Sequence, residues 1–306
     1  MSRPNIVYIV TDQQRYDSLG CTGHRHAVTP HLDALAAQGT CFHRCYSASS
    51  VCMPSRATML TGLFPAAHGV WTNGVAVPRR ESVPVTDESA MLPRHHPACG
   101  PIPTHLPTVA EMLAQAGYHT AAIGKLHFTP TQSHPALGME ESTYRWKQDP
   151  SMANWHGPYY GFQEVHLTLG HGEGCEGHYG HWLRQHHPEQ DQARQHARQQ
   201  PREFPEVNQL YPGGLSLAAH PSHWIADQTC AFFRRQQRAG QPFFLWVGIP
   251  DPHHPFSPPA ELAHQFAERP FMPVCATDAT GKPPAYQAIT QGVGSMRVPA
   301  ASVPRI

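Results

Sequence analysis

Short apolar runs that end in polar, chemically versatile residues set the pattern of this chain. Asn-Ile-Val-Tyr-Ile-Val-Thr, residues 5–11, is continuous and β-branched. It predicts a central strand buried on both faces of a largely parallel sheet. Residues 119–123 predict a second parallel strand, and residues 242–249 (Pro-Phe-Phe-Leu-Trp-Val-Gly-Ile) a third. Helical spacing separates them. Thr29, Pro30, Leu32, Leu35, Ala36 and Gly39 mark a capped surface helix packing on the sheet. Residues 106–117 predict an amphipathic helix stopped by Gly117, and residues 222–239 a helix whose Arg234, Arg235 and Arg238 suit its C-terminal dipole. Residues 41–46 read as a short strand. Strands alternating with helices imply an α/β fold, a mostly parallel central sheet flanked by helices on both faces.

Candidate chemistry collects where these runs stop. Ligand sites of open α/β sheets lie beyond the carboxyl ends of the strands. Asp12 stands at the first such end, as a metal ligand, a helix N-cap or a solvated loop residue. Lys125 and His127 share a face if the second strand persists. They can bind an anion and move a proton, or be a solvent-facing lysine and a packed histidine. His253 and His254 sit in the Pro-rich segment after the third strand, as a proton donor with its neighbour or as a structural corner. Residues 51–62 (Val-Cys-Met-Pro-Ser-Arg-Ala-Thr-Met-Leu-Thr-Gly) turn from loop into helix. Pro54 fits the first turn and Gly62 the end. Cys52 then lies at the electropositive helix start with Arg56 one turn on, which predicts a lowered thiol pKa. The alternative is a buried structural cysteine. Asn73-Gly74 reads as a turn.

Composition narrows the class. The 306 residues carry zero formal net charge, which argues against a nucleic-acid or anionic-membrane partner. Charged residues are only 14%, against 32 Pro and 24 His, a loop-rich balance. The eight Cys form no short-range framework and read as mostly free thiols. No apolar run nears the ~18 residues of a membrane span. With no signal-like start, a cytoplasmic location is expected. The His/Gln/Arg-rich tract 178–202 matches no zinc spacing. It reads as solvated low complexity within a partly mobile insertion at about 130–220.

Cys52-Met53-Pro54-Ser55-Arg56 followed by Thr61-Gly62 resembles the signature of the type I sulfatases, formylglycine-dependent enzymes of the alkaline-phosphatase-like superfamily. The segment from Asp12 to Gly20, Gly124-Lys125-Leu126-His127, and the strand leading to Pro252-His253-His254-Pro255 match the same family in order. The resemblance implies an alkaline-phosphatase-like fold and sulfate ester hydrolysis. It implies conversion of Cys52 to formylglycine by a separate formylglycine-generating enzyme. One hydroxyl of the hydrated aldehyde would attack sulfur and the other expel sulfate. Asp12, Gln13 and the modified Cys52 would hold a divalent cation, calcium by resemblance, with Mg2+ or Mn2+ as alternatives. Gln13 stands where many members carry a second aspartate and brings no charge. Lys125 would clamp sulfate oxygens, His127 assist the formylglycine hydroxyl, and His253 meet the leaving group. Arg56 completes the set, and Asn73 lies about where a polar residue faces the transferred group. The substrate would be a small sulfate ester.

The resemblance covers about residues 3–290, a catalytic domain over 1–290 followed by an irregular tail, 291–306. Family members continue to a later strand ending in Asp-His-Gly or Asp-Asn-Gly, which brings further metal ligands; this sequence has no Asp-His, Asp-Asn or Asp-Asp pair. The expectation is therefore an incomplete cation cage and missing C-terminal strands. Two alternatives follow: a phosphonate monoester or phosphodiester hydrolase of the same superfamily, or an inactive truncated remnant.

Overall fold

A computed structural model describes residues 3–78, 106–199 and 213–259, with short pieces at 95–96, 100–101, 261–262 and 281. Its strands are β1 (Ile6–Thr11), β2 (His95–His96), β3 (Gly100–Pro101), β4 (His119–Gly124), β5 (Glu164–Leu169), β6 (Glu176–Gly177) and β7 (Phe243–Ile249). The helices are α1 (Pro30–Gln38), α2 (Cys52–Thr61), α3 (Pro65–His68), α4 (Val109–Gln115), α5 (Thr143–Gln148), α6 (His178–His186), α7 (Pro188–Ala197) and α8 (Pro221–Ala239). The main sheet runs β1-β7-β4-β5-β6. Its first four strands are parallel and β6 closes it antiparallel.

Register explains the site. Thr11 faces Ile249 across β1 and β7, and Gly124 faces Gly248 across β4 and β7. Three strands therefore stop at one level. The chain leaves that level held by Asp12 N–H donating to the Asp251 carbonyl at 3.2 Å and Lys125 N–H to the Gly248 carbonyl at 2.8 Å. A Cβ on Gly124 would meet the Gly248 carbonyl oxygen at 2.0 Å, so the turn into Lys125 requires glycine. One core layer packs α2 and α4 residues (Met53, Leu60, Ala110) with Phe128, Phe162 and Trp246. The other packs Ile225 and Phe232 of α8 and Tyr179 of α6 with Leu245 and Ile123.

Helix α4 starts with the capping box its sequence allows: Thr108 Oγ1 accepts from Glu111 N–H at 3.0 Å, and Glu111 accepts from Thr108 N–H at 2.9 Å. Helix α8 spans nearly the predicted range.

Four expectations fail. Among the described residues strand β1 is not central: it pairs with β7 alone, and Val7, Tyr8 and Ile9 are exposed. An unbroken apolar run marks a strand with two apolar faces; it does not say whether both are covered. Helix α1 forms but leaves Leu32 and Leu35 exposed. It is anchored instead by Asp33, which accepts from Cys21 N–H at 2.7 Å and Thr29 Oγ1 at 3.0 Å. Residues 41–46 form turns and coil. The solvated reading of 178–202 also fails: the tract builds α6 and α7 and buries His178, Tyr179, Leu183 and Arg194, because Tyr179 and Leu183 form an apolar face inside its polar composition. The 291–306 tail and most of residues 79–105 lie outside the described residues.

Candidate active site at the strand ends

Helix α2 carries Cys52 to the level where β1, β4 and β7 stop. Cys52 is its first residue, with Pro54 in the first turn and Gly62 in the left-handed conformation after the end. Asn73 Oδ1 accepts from Met53 N–H at 3.0 Å and so caps the helix from outside. Cys52 Sγ lies 3.6 Å from Asp12 Oδ1.

Asp12 is the electrostatic hub. Its Oδ2 accepts from an Arg56 guanidinium nitrogen at 3.1 Å and from the Lys125 ammonium. Arg56 also donates to the Lys125 carbonyl at 2.9 Å, tying helix α2 to the end of β4. All three side chains are nearly fully buried. Burial alone would raise the Asp12 pKa, but Lys125 and Arg56 hold it far below the usual carboxylate range. The Lys125 pKa falls through burial, against the pull of Asp12. One carboxylate against two cations leaves the pocket net positive.

The Cys52 expectation is reversed. Its thiol pKa is raised: burial dominates, and the Asp12 charge adds to it, outweighing Lys125, Arg56 and the helix start.

Strand β4 ends at Gly124, so strand alternation does not place Lys125 and His127 together. A left-handed turn does, with His127 at φ 58°. Glu141 holds that turn. Its carboxylate accepts the N–H groups of His127, Phe128 (2.7 Å) and Thr129 (3.2 Å), and the Tyr159 hydroxyl at 2.8 Å. His127 is 5% exposed, and its buried Nδ1 finds no hydrogen-bond partner among the described residues. Burial, then Lys125 and Arg56, lower its pKa to about 3, so it is neutral at physiological pH.

Across the cleft, His253 Nδ1 donates to the His254 carbonyl, and His254 Nδ1 donates to Gln13 Oε1 at 2.9 Å. The His253 ring stacks on that of His171, centroids 3.6 Å apart and 11° from parallel. His171 Nε2 accepts from the Lys125 ammonium. Neither His171 nor Glu141 is among the residues that the sequence pattern predicts for the site. The available signal for His171 was a Gly-flanked histidine directly after the apolar run of β5; Glu141 offered none.

Val10, Asp12, Gln13, Cys52, Arg56, Asn73, His253 and His254 line a cleft of about 540 Å³. It adjoins a cavity of about 850 Å³ that shares Asn73 and reaches His127, His171, Lys147 and Arg198. A hard divalent cation asks for six or more oxygens. The predicted ligands bring one carboxylate, already engaged by two cations, and one amide oxygen facing His254. The described residues therefore do not fit calcium as a self-contained cage. Cys52, His171 and His253 do form a potential metal-ligand group. The six described cysteines, Cys21, Cys41, Cys45, Cys52, Cys175 and Cys230, are all free. No helix among the described residues is long and apolar enough to cross a membrane.

The sulfatase family model matches residues 4–288. The chain is similar to YidJ of Escherichia coli K12, described as an uncharacterized sulfatase: 26% identical over 268 residues, 88% of this chain and 42% of the relative. It is 26% identical over 272 residues to an arylsulfatase of Clostridium perfringens, 84% of this chain and 45% of that one. Among solved structures, the phosphonate monoester hydrolase of Agrobacterium radiobacter superposes with TM-score 0.60 at 25% identity, over 90% of this chain and 46% of that chain. The chain thus spans less than half the length of these relatives.

Proposed function

The chain belongs to the sulfatase family, and on that premise we propose that it hydrolyses a small sulfate monoester through a formylglycine made from Cys52. One observation carries the reading: buried Asp12, Arg56 and Lys125 meet half-buried Cys52, from three separate elements, in one net-positive cluster. Formylglycine, supplied by a formylglycine-generating enzyme, would provide the hydroxyl nucleophile that a half-buried, protonated thiol does not. Conversion also removes the thiol whose pKa the site raises.

The chain's own residues divide the remaining work. Lys125 and Arg56 neutralise sulfate oxygens, where charge-assisted contacts in a dry site are strongest. His127, held neutral and with Nδ1 unpartnered, takes the nucleophile's proton. His253 faces the leaving oxygen. Because its Nδ1 donates to the His254 carbonyl, its neutral form leaves Nε2 as an acceptor, so proton donation needs the imidazolium. A calcium, magnesium or manganese ion at Asp12 and Gln13 would need further oxygen donors beyond those of the described residues.

The test is co-expression with a formylglycine-generating enzyme, mass measurement of residue 52, and parallel assay of an aryl sulfate and a phosphonate monoester. Sulfate ester turnover by the converted chain is expected. Preference for the phosphonate ester would move the assignment to the reaction named for the Agrobacterium structure. No turnover of either ester by fully converted chain would make it a non-catalytic remnant.

A further inference from the structure

The residues around Cys52 suit a different cation from the one the family resemblance implies. We propose that the unconverted chain binds zinc, or another borderline divalent ion, through Cys52 Sγ and the ring nitrogens of His171 and His253. The observation is geometric: one ligand atom from each of these three residues lies within 4.8 Å of the other two. They come from the start of α2, the turn after β5 and the segment after β7. The fold itself therefore gathers them at the shared strand-end level.

The donor chemistry selects the ion. One thiolate and two imidazoles form a nitrogen–sulfur set that favours zinc-like ions and offers calcium nothing. With Zn–S of about 2.3 Å and Zn–N of about 2.0–2.1 Å, tetrahedral ligands sit about 3.3–3.6 Å apart, so atoms within 4.8 Å of one another need to close by at most about 1.5 Å. Both rings already present a lone pair. His253 donates Nδ1–H to the His254 carbonyl, the outer hydrogen bond by which metal-binding histidines fix their tautomer, leaving Nε2 as donor to a metal. His171 Nε2 accepts from the Lys125 ammonium, which can only donate. A cation thus already rests on that nitrogen, and a metal there displaces it toward Asp12, which Lys125 also pairs. Three protein ligands leave a fourth position open to the 540 Å³ cleft, which Cys52 and His253 line.

Binding forms Zn–S and Zn–N bonds, and the thiol proton leaves to solvent. No redox partner is needed. The site exists only while residue 52 is cysteine. Zinc capture and formylglycine formation are thus alternative fates of one side chain, and zinc binding does not depend on sulfatase activity.

The experiment uses the full chain made without the maturation enzyme, reduced and metal-free. It is titrated with Co2+, then Zn2+ as competitor, reading the near-ultraviolet thiolate-to-cobalt band and the visible bands of tetrahedral cobalt. One equivalent should produce both bands, zinc should abolish them, and excess Ca2+ should leave them. C52S should remove the thiolate band. H171A should weaken Zn2+ by more than the ~10–100-fold typical of losing an outer partner. A thiolate band that survives in C52S would place the metal on one of the other seven cysteines and overturn the proposal, as would unchanged zinc affinity in H171A. A measurement on the unmutated chain guards against variants that misfold. Zn2+ should slow alkylation of Cys52 while leaving the exposed Cys41 and Cys45 reactive. Equal alkylation of Cys52 with and without zinc also overturns it.

Discussion

Glu141→Gln isolates one hydrogen bond in the turn that delivers His127. In the wild-type chain Oε2 accepts the His127 N–H, while Oε1 serves Phe128, Thr129 and Tyr159. The amide can keep Oε1 in place, but its NH2 then faces the His127 N–H, donor against donor. One buried backbone donor left unsatisfied costs about 1–3 kcal/mol. The alternative flip orphans the other donors and costs more. Part of the loss can return as relaxation: a non-glycine residue at φ 58° stores about 1–3 kcal/mol, released only if His127 leaves its position. The expected net loss is about 2 kcal/mol, which at an m-value of about 3 kcal/mol/M lowers the urea midpoint by roughly 0.7 M. Glu141→Ala orphans the whole cluster and should lose about 3–5 kcal/mol, as when one partner of a buried polar pair is removed. Urea unfolding of both variants, with amide exchange at His127, reads the effect. In converted chain kcat should fall more than KM rises, because His127 is displaced while Lys125 remains. A Glu141→Gln midpoint equal to wild type, with His127 N–H still protected, would refute the clamp.

Three further outcomes follow from the same cluster. Cys52→Ala should abolish turnover, and intact-mass analysis of active chain should show residue 52 lighter by about 18 Da, the thiol-to-aldehyde change behind the nucleophile; full activity with unconverted cysteine would contradict it. Lys125→Ala should weaken binding of inorganic sulfate by about 1.5–3 kcal/mol, the worth of a charge-assisted contact, measured by calorimetry on converted chain. Stability should fall on acidification in two windows. His127 has its pKa lowered from 6.5 to about 3, so the unfolded chain binds protons first and stability drops from about pH 6.5 toward 3. Asp12, depressed below 3.8, adds its loss as pH falls beneath that value. Buried His171 and His178 share the first window and Glu164 the second, so His127→Asn should make the first shallower and Asp12→Asn the second, without abolishing either, in urea titrations across pH.

Sequence carried the site further than the sheet. Asp12, Lys125 and His253 were legible because each follows an apolar run, and strand ends are where open sheets bind ligands. Cys52 and Arg56 were legible because Pro54 and Gly62 bracket a helix. What their meeting did to them was not legible. The helix start argues for an acidic thiol, but burial beside Asp12 wins, and burial depends on neighbours 40 residues away. His127 reaches the site by a left-handed turn that alternation cannot predict, and its clamp, Glu141, looks like any surface glutamate. His171 lies before the His- and Gln-rich tract and is marked only by the apolar run that precedes it; the tract itself reads as solvated, although its Tyr179 and Leu183 pack into a core layer. Pairing partners decide which strand lies at an edge, and β1 carries no mark of that position.

The edge of β1, unpaired among the described residues, bears on how the pocket can be studied in solution. Val7, Tyr8 and Ile9 stand open beside backbone groups that a second copy could pair. Sulfate, the natural probe for a positive pocket, is also a kosmotrope that strengthens apolar association. A sulfate titration will therefore drive two processes, occupancy between Arg56 and Lys125 and salting-out along β1. The two separate by concentration order: occupancy saturates independently of protein concentration, whereas precipitation through the strand rises with it. Light scattering alongside each titration distinguishes a filled pocket from a cloudy tube.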